Sequence, residues 1–263
     1  MVCLAGDAGS GKSYISYTLG LAIAAGVPAL SGLVPRQEPK RVVYFDEENS
    51  KQDYEKYLRR SFYGLIAHNQ GEEPDEASLL TNFWPVHFAL GGVDWVECAA
   101  QWVNYVQPHL IVVDTATPAC NIEDENDNAE ATRAMKAIRQ LMALSEPTAT
   151  ALILRHAKMR TEKGGARTMR GAKAWKSGTD ASLFQIRAAG RPRRDGLALT
   201  RLEPDKVRAY GLAQTIYITP RWTDIKRTGL ALEGSYKAGS AHAAAERDED
   251  EGLGIDRANP KSQ

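Results

Sequence analysis

The chain is poor in cysteine: it has 3 among 263 residues, Cys3, Cys98 and Cys120, with no C-x-x-C pair. That excludes a disulfide framework and a cysteine-built zinc site, and it suits a reducing cytoplasm, the compartment expected here. Long apolar runs are missing too. No stretch approaches the roughly 20 residues of a membrane span, so no membrane partner is expected. No signal peptide is visible, because the first residues run straight into a strand pattern. An excess of charge is also absent, since 33 Lys and Arg balance 33 Asp and Glu. Whole-chain charge therefore argues nothing about nucleic acid, and any basic site must be a local patch. No internal repeat is found. With 43% hydrophobic and 25% charged residues the composition is that of an ordinary globular protein.

Against these absences one motif stands out. Residues 6–13 read Gly6-Asp7-Ala8-Gly9-Ser10-Gly11-Lys12-Ser13 and fit the phosphate-loop pattern G-x-x-x-x-G-K-S/T without a mismatch. The glycines let successive N–H groups point at one anion. Lys12 suits the β- and γ-phosphates as a point charge, and the Ser13 hydroxyl suits Mg²⁺. The flanks agree. Val2 to Ala5 is a short apolar run expected of a buried parallel strand. Ser13 to Ala25 is rich in Ala, Leu and Ile and stops at Gly26, as a helix would. The loop thus lies between a strand and a helix N-terminus, where the helix dipole attracts phosphate. ATP and Mg²⁺ are the expected ligands, with residues 6–13 and the adjoining Tyr14 holding the nucleotide.

Strand-like and helix-like segments alternate along the chain, which predicts an α/β fold with a mostly parallel central sheet and helices on both faces. Strands are expected at 41–45, 84–88, 110–113, 149–154, 181–186, 197–202 and 214–218. Helices are expected at 50–62, capped by Ser50 with Asp53 three residues on, at 95–106 and at 129–144. Residues 69–82 are polar and read as a surface loop, and Asn121 to Asn128 as an acidic, mobile one. Residues 1–236 are expected to form one domain. Residues 237–263, with Glu246-Arg247-Asp248-Glu249-Asp250-Glu251, read as a disordered acidic tail.

Other residues fit a nucleotide site. Leu110 to Val113 followed by Asp114 is the pattern of a buried strand carrying a Mg²⁺-side aspartate to the phosphate crevice. Asp46, Glu47 and Glu48 follow the second strand, where one of them can orient an attacking water while others cap the next helix. His156 follows the fourth buried strand at the same edge. Residues 157–178 carry Lys158, Arg160, Lys163, Arg167, Arg170, Lys173 and Lys176 against Glu162 alone. Such a basic segment suits contact with a phosphate backbone, or the supply of an arginine to a neighbouring subunit. Arg191, Arg193 and Arg194 form a second cluster.

The segments GDAGSGKS, VVYFDEENS, LIVVDTATP, LILRHAKM and TMRGAKAWKSGTDASLF together resemble the RecA-like ATPases of the RepA and DnaB replicative helicase group, RepA-like members most of all. The resemblance runs in order from residue 1 to about 220. It implies a RecA-like P-loop core and a ring of subunits, commonly a hexamer, with ATP between neighbours. It implies that Glu48 activates water, that Lys12, Ser13 and Asp114 hold the phosphates and Mg²⁺, and that His156 senses the γ-phosphate. Arg170 resembles the group's arginine-glycine segment; the intersubunit arginine stays open among Arg170, Arg191, Arg193 and Arg194. The implied activity is that of an ATP-driven DNA helicase or translocase on single-stranded DNA, gripped by residues 157–178, in replication of a phage, plasmid or mobile element. The competing class is a regulatory or partner-loading ATPase on the same core. The group usually has residues before its first strand, so the chain is expected either to be minimal at that end or to lack a segment there.

Overall fold

The computed structural model describes residues 1–69, 75–87, 93–124, 126–156, 173–187, 199–207, 214–224 and 226–236. Expectations for the basic residues within 157–172, including Arg170, for Arg191, Arg193 and Arg194, and for the tail at 237–263 lie outside the described residues.

Among the described residues nine strands build one sheet: β1 (Val2–Gly6), β2 (Val42–Asp46), β3 (Phe83–Val86), β4 (Leu110–Asp114), β5 (Thr150–His156), β6 (Ala181–Arg187), β7 (Thr200–Val207), β8 (Ile216–Trp222) and β9 (Leu230–Ser235). Their order is β3-β2-β4-β5-β1-β6-β7-β8-β9, so β1 sits in the middle. The strands from β3 to β6 pair in parallel, and β6 to β9 continue as an antiparallel extension. The helices are α1 (Lys12–Ala25), α2 (Lys51–His68), α3 (Glu76–Asn82), α4 (Val93–Val106), α5 (Ala116–Ala119), α6 (Asn128–Ala143) and α7 (Lys173–Gly178).

Side chains alternate across each strand, and both faces are covered. Cys3, Phe45, Ile111 and Ile153 pack with Trp95 of α4, Ile138 of α6 and Trp175 of α7. Leu4, Tyr44, Val112 and Leu154 pack on the other face with Ile15 and Leu21 of α1 and Leu65 of α2. Burial on both sides is why β1, β2 and β4 read as unbroken apolar runs. Burial pushes the thiols of Cys3 and Cys120 up to about 12, so both are unreactive at neutral pH. Among the described residues no helix is long and apolar enough to cross a membrane.

Several boundaries differ from expectation. Residues 76–82 form α3 rather than loop, because Asp75 caps it by accepting from the Ser78 N–H at 3.0 Å. The loop at 121–128 is tied down where it is described: the Glu130 carboxylate accepts from the N–H groups of Glu123 and Asp124 at 2.9 and 3.2 Å. Helix α2 runs six residues past Phe62, to His68, behind the expected Ser50 cap, whose hydroxyl accepts from Asp53 N–H at 3.2 Å. Strand β9 lies where the sequence pattern predicts none.

β9 matters because α2 lies on it through a glycine. A Cβ at Gly64 would overlap the Leu230 carbonyl and come within 2.8 Å of Ala231 N. Gly64→Ala must therefore separate helix from strand. Overpacking of this kind costs roughly 1–3 kcal/mol, more than the helix-propensity gain of about 1 kcal/mol. The expected result is a lower denaturation midpoint; an unchanged or higher midpoint would sink this account of the contact.

Candidate functional site

Gly6 ends β1 and the chain turns at once. The Ser10 N–H donates to Asp7 O at 3.1 Å, and Gly9 and Gly11 adopt φ of 66° and 92°, left-handed values that side chains resist. Gly11 caps α1 with no side-chain hydrogen bond and no acid in the first turn. The first N–H groups and the positive end of the helix dipole thus face outward for an anion. Lys12 Nζ reaches back over the loop and donates to the carbonyls of Gly6 and Asp7, each at 3.0 Å. Burial lowers the pKa of this ammonium, against the charges of Glu48, Asp114 and Asp7.

Register assembles the rest. Gly6 stands opposite His156 on β5, and Asp46 opposite Asp114. All sit at carboxyl ends of parallel strands, the edge where α/β sheets bind ligands. Glu48 follows β2, and its Oε1 lies 3.2 Å from His156 Nε2. That hydrogen bond, with the charges of His156 and Lys12, lowers the Glu48 pKa in spite of partial burial. A cleft of about 150 Å³ is lined by Gly9, Gly11, Lys12, Ser13, Tyr14, Glu48, Asn49, Tyr57, Asp114 and His156. Glu47 does not line it; its N–H donates to the Asp114 carbonyl at 2.7 Å. Asp7 and Ala8 are exposed on the outside of the loop, and Ser10 is buried beneath it.

Asp114 is 1% exposed, and burial together with the nearby Asp46 charge pushes its carboxyl up to about 7, against hydrogen bonds from Ser13 and Tyr44. A buried pair of tyrosines supports both acids. Tyr44 OH donates to Asp114 Oδ2 and Tyr17 OH to Asp46 Oδ2, each at 2.9 Å, with the rings stacked at 4.0 Å. Asn49 closes the Asp46 side, donating from its backbone N–H and its amide at 3.0 Å. Asp46 thus orients the Glu48 turn rather than facing the cleft, as an Asx-type contact does.

The comparisons with known proteins fit this geometry. A family model described as AAA domain matches residues 1–162. The chain belongs to that family. The RadB recombinase structure is similar in fold, with a TM-score of 0.53 and 16% identity over 87% of this chain and 88% of that one. No curated protein matches the chain. This AAA-domain protein is therefore a P-loop ATPase of RecA-like fold.

ATP and Mg²⁺ fit what is present. The α1 N-terminus lacks a side-chain cap where phosphate belongs, and Lys12 is held by backbone carbonyls that a phosphate can replace. Among the described residues no group of three or more His, Cys, Asp or Glu could hold a metal. One hydroxyl and one carboxylate, Ser13 and Asp114, instead suit a hard ion that takes its remaining ligands from water and phosphate. Beside the phosphate cleft, and sharing Gly9, Gly11, Tyr14 and Tyr57 with it, a groove of about 340 Å³ runs between α2 and the antiparallel strands. The Trp222 ring there lies under Arg60 at 5.0 Å and Arg227 at 5.5 Å, and Arg60 also donates to Tyr14 OH at 3.1 Å. The phosphate half is legible in the motifs and this wall is not, because Trp222 of β8 and Arg60 of α2 are brought together by tertiary packing. Tyr17 and Tyr44 are not legible either, because their hydroxyls carry no motif.

Proposed function

We propose that this AAA-domain protein hydrolyses ATP between the subunits of a ring, probed first as a hexamer, and uses the energy to move along single-stranded DNA as a RepA-like helicase or translocase. The observation that carries this reading is the 3.2 Å contact between Glu48 and His156 inside the phosphate cleft. In this reading Glu48 orients and deprotonates the attacking water, while Lys12 and the loop N–H groups take up charge on the phosphates. Ser13 and Asp114 would hold Mg²⁺, which when bound would supply electrostatic stabilisation of phosphate charge. His156 is the last residue of β5, and the chain continues from it directly into the basic segment at 157–178. Loss of the γ-phosphate changes what Glu48 faces, and His156 passes that change to the residues that grip DNA. An arginine of the neighbouring subunit, from Arg170, Arg191, Arg193 or Arg194, completes the site.

The test is steady-state ATP hydrolysis with and without single-stranded DNA at fixed low salt. The expected stimulation is about tenfold, equivalent to about 1.4 kcal/mol of barrier. It should fade between roughly 50 and 200 mM salt, because backbone contacts release counterions. Clear hydrolysis indifferent to DNA would overturn the motor and favour a regulatory or partner-loading ATPase.

A further inference from the structure

We infer that Gln185 is a positioning residue for the phosphate loop: its side-chain amide fixes the Ser10–Gly11 peptide so that the Gly11 N–H faces the phosphates. The inference rests on the nucleotide reading of the cleft and adds a residue that the loop motif does not contain.

Gln185 lies on β6, directly opposite Gly6, and is 3% exposed. Its Nε2 donates to the Ser10 carbonyl at 2.5 Å, joining residues 175 apart in sequence. The loop base is seated on this side chain: a Cβ at Gly6 would lie 3.1 Å from Gln185 Cβ.

A trans peptide is planar, so its C=O and the following N–H point in opposite directions. Gln185 draws the Ser10 oxygen toward β6. The Gly11 N–H must then point away from β6. In the sheet order β4-β5-β1-β6, that direction leads toward β5 and β4, which carry His156 and Asp114 to the cleft. The clamp and the cleft lie on opposite flanks of β1, as a peptide held at one end and presenting a donor at the other requires.

The loop needs such a clamp because of its own glycines. Gly11 at φ 92° has no Cβ to resist rotation of the preceding peptide plane. A flipped plane would aim a carbonyl oxygen, not an N–H, at the phosphates. With Gln185 present, flipping also strips a buried amide of its acceptor, and a buried donor without a partner is costly. One neutral side chain on a neighbouring strand thus selects the anion-binding form of the loop before any nucleotide arrives.

The test uses the full chain and three ligands: ADP, inorganic pyrophosphate and adenosine. Gln185→Met keeps the side-chain length and removes the donor; Gln185→Glu keeps the shape and presents an acceptor to the Ser10 oxygen. Both variants should bind ADP and pyrophosphate about tenfold more weakly, the equivalent of about 1.4 kcal/mol, with adenosine affinity unchanged; the thermal midpoint should fall in both, further for Gln185→Glu, which buries a carboxylate against the Ser10 oxygen. Unchanged ADP binding, or equal weakening of ADP and adenosine, overturns the clamp. If the wild-type chain binds neither ADP nor pyrophosphate, the nucleotide reading fails and takes the clamp with it; wild-type binding beside unaltered variants defeats the clamp alone. A second measurement needs no variant. In the wild-type protein the Gly11 amide resonance should shift on addition of pyrophosphate, and an amide that does not move overturns the inference even if both variants fail to fold.

Discussion

Glu48→Gln is expected to lower ATP turnover by roughly 10²–10⁴-fold, the usual range for loss of a general base, while leaving nucleotide affinity and folding stability near wild type. The geometry separates these effects. Glu48 lines the phosphate cleft and is bonded to His156 rather than to Lys12, so the residues that hold the phosphates are not disturbed. Glutamine keeps an oxygen for His156 and loses only basicity. The hydrogen bond from His156 keeps the native carboxyl ionised to lower pH than an ordinary glutamate. At saturating MgATP, where a bound cation would keep Asp114 ionised, the acid limb of turnover should accordingly fall below the ordinary glutamate pKa of 4.5, and the base remains competent as pH rises from there. Turnover by Glu48→Gln close to the wild-type rate would rule out Glu48 as the base. Glu47 is a poor substitute, since it does not line the cleft.

What could be read in the sequence was what local chemistry dictates. The octapeptide at 6–13 requires a strand before it and a helix after it, and β1 and α1 are there. Leu110 to Asp114 is buried on both sides, so its apolar run and terminal acid read as β4. Strand β9 escaped because Leu230-Ala231-Leu232-Glu233-Gly234-Ser235 has no β-branched or aromatic residue; it pairs with β8 and docks under Gly64 by shape. Helix α3 escaped because seven residues are too few for periodicity to speak, and its Asp75 cap sits in an otherwise polar stretch. The site divides in the same way. Lys12, Ser13 and Asp114 belong to short motifs. Tyr17 with Asp46, and Gln185 with Ser10, are bonds across 29 and 175 residues, and only the order of strands brings them together.

Asp114→Asn should have opposite effects on stability and function. Asp114 and Asp46 end adjacent strands in register, both buried, and Asp114 is pushed up to about 7 from an ordinary 3.8. Between those two values the folded chain binds more protons at this site than the unfolded chain does. Stability of the nucleotide-free protein therefore falls as pH rises from about 4 to about 7, and the loss is complete above that. Asparagine can still accept from Tyr44 and Ser13, and it removes the repulsion from Asp46. At pH 8, without nucleotide, Asp114→Asn should be more stable by on the order of 2–4 kcal/mol. At pH 4 the two proteins should unfold at nearly the same midpoint. Hydrolysis should fall by at least roughly 10²-fold, as when one preorganised charge-stabilising group is lost from a catalytic site. Adding MgATP should then reverse the order of midpoints, because ligand stabilises only the chain that binds it well. The decisive measurement is denaturation of both proteins at pH 4 and pH 8. A variant less stable than wild type at pH 8 would show that the Asp114 carboxylate serves the fold itself, and not the ion the site is built to hold.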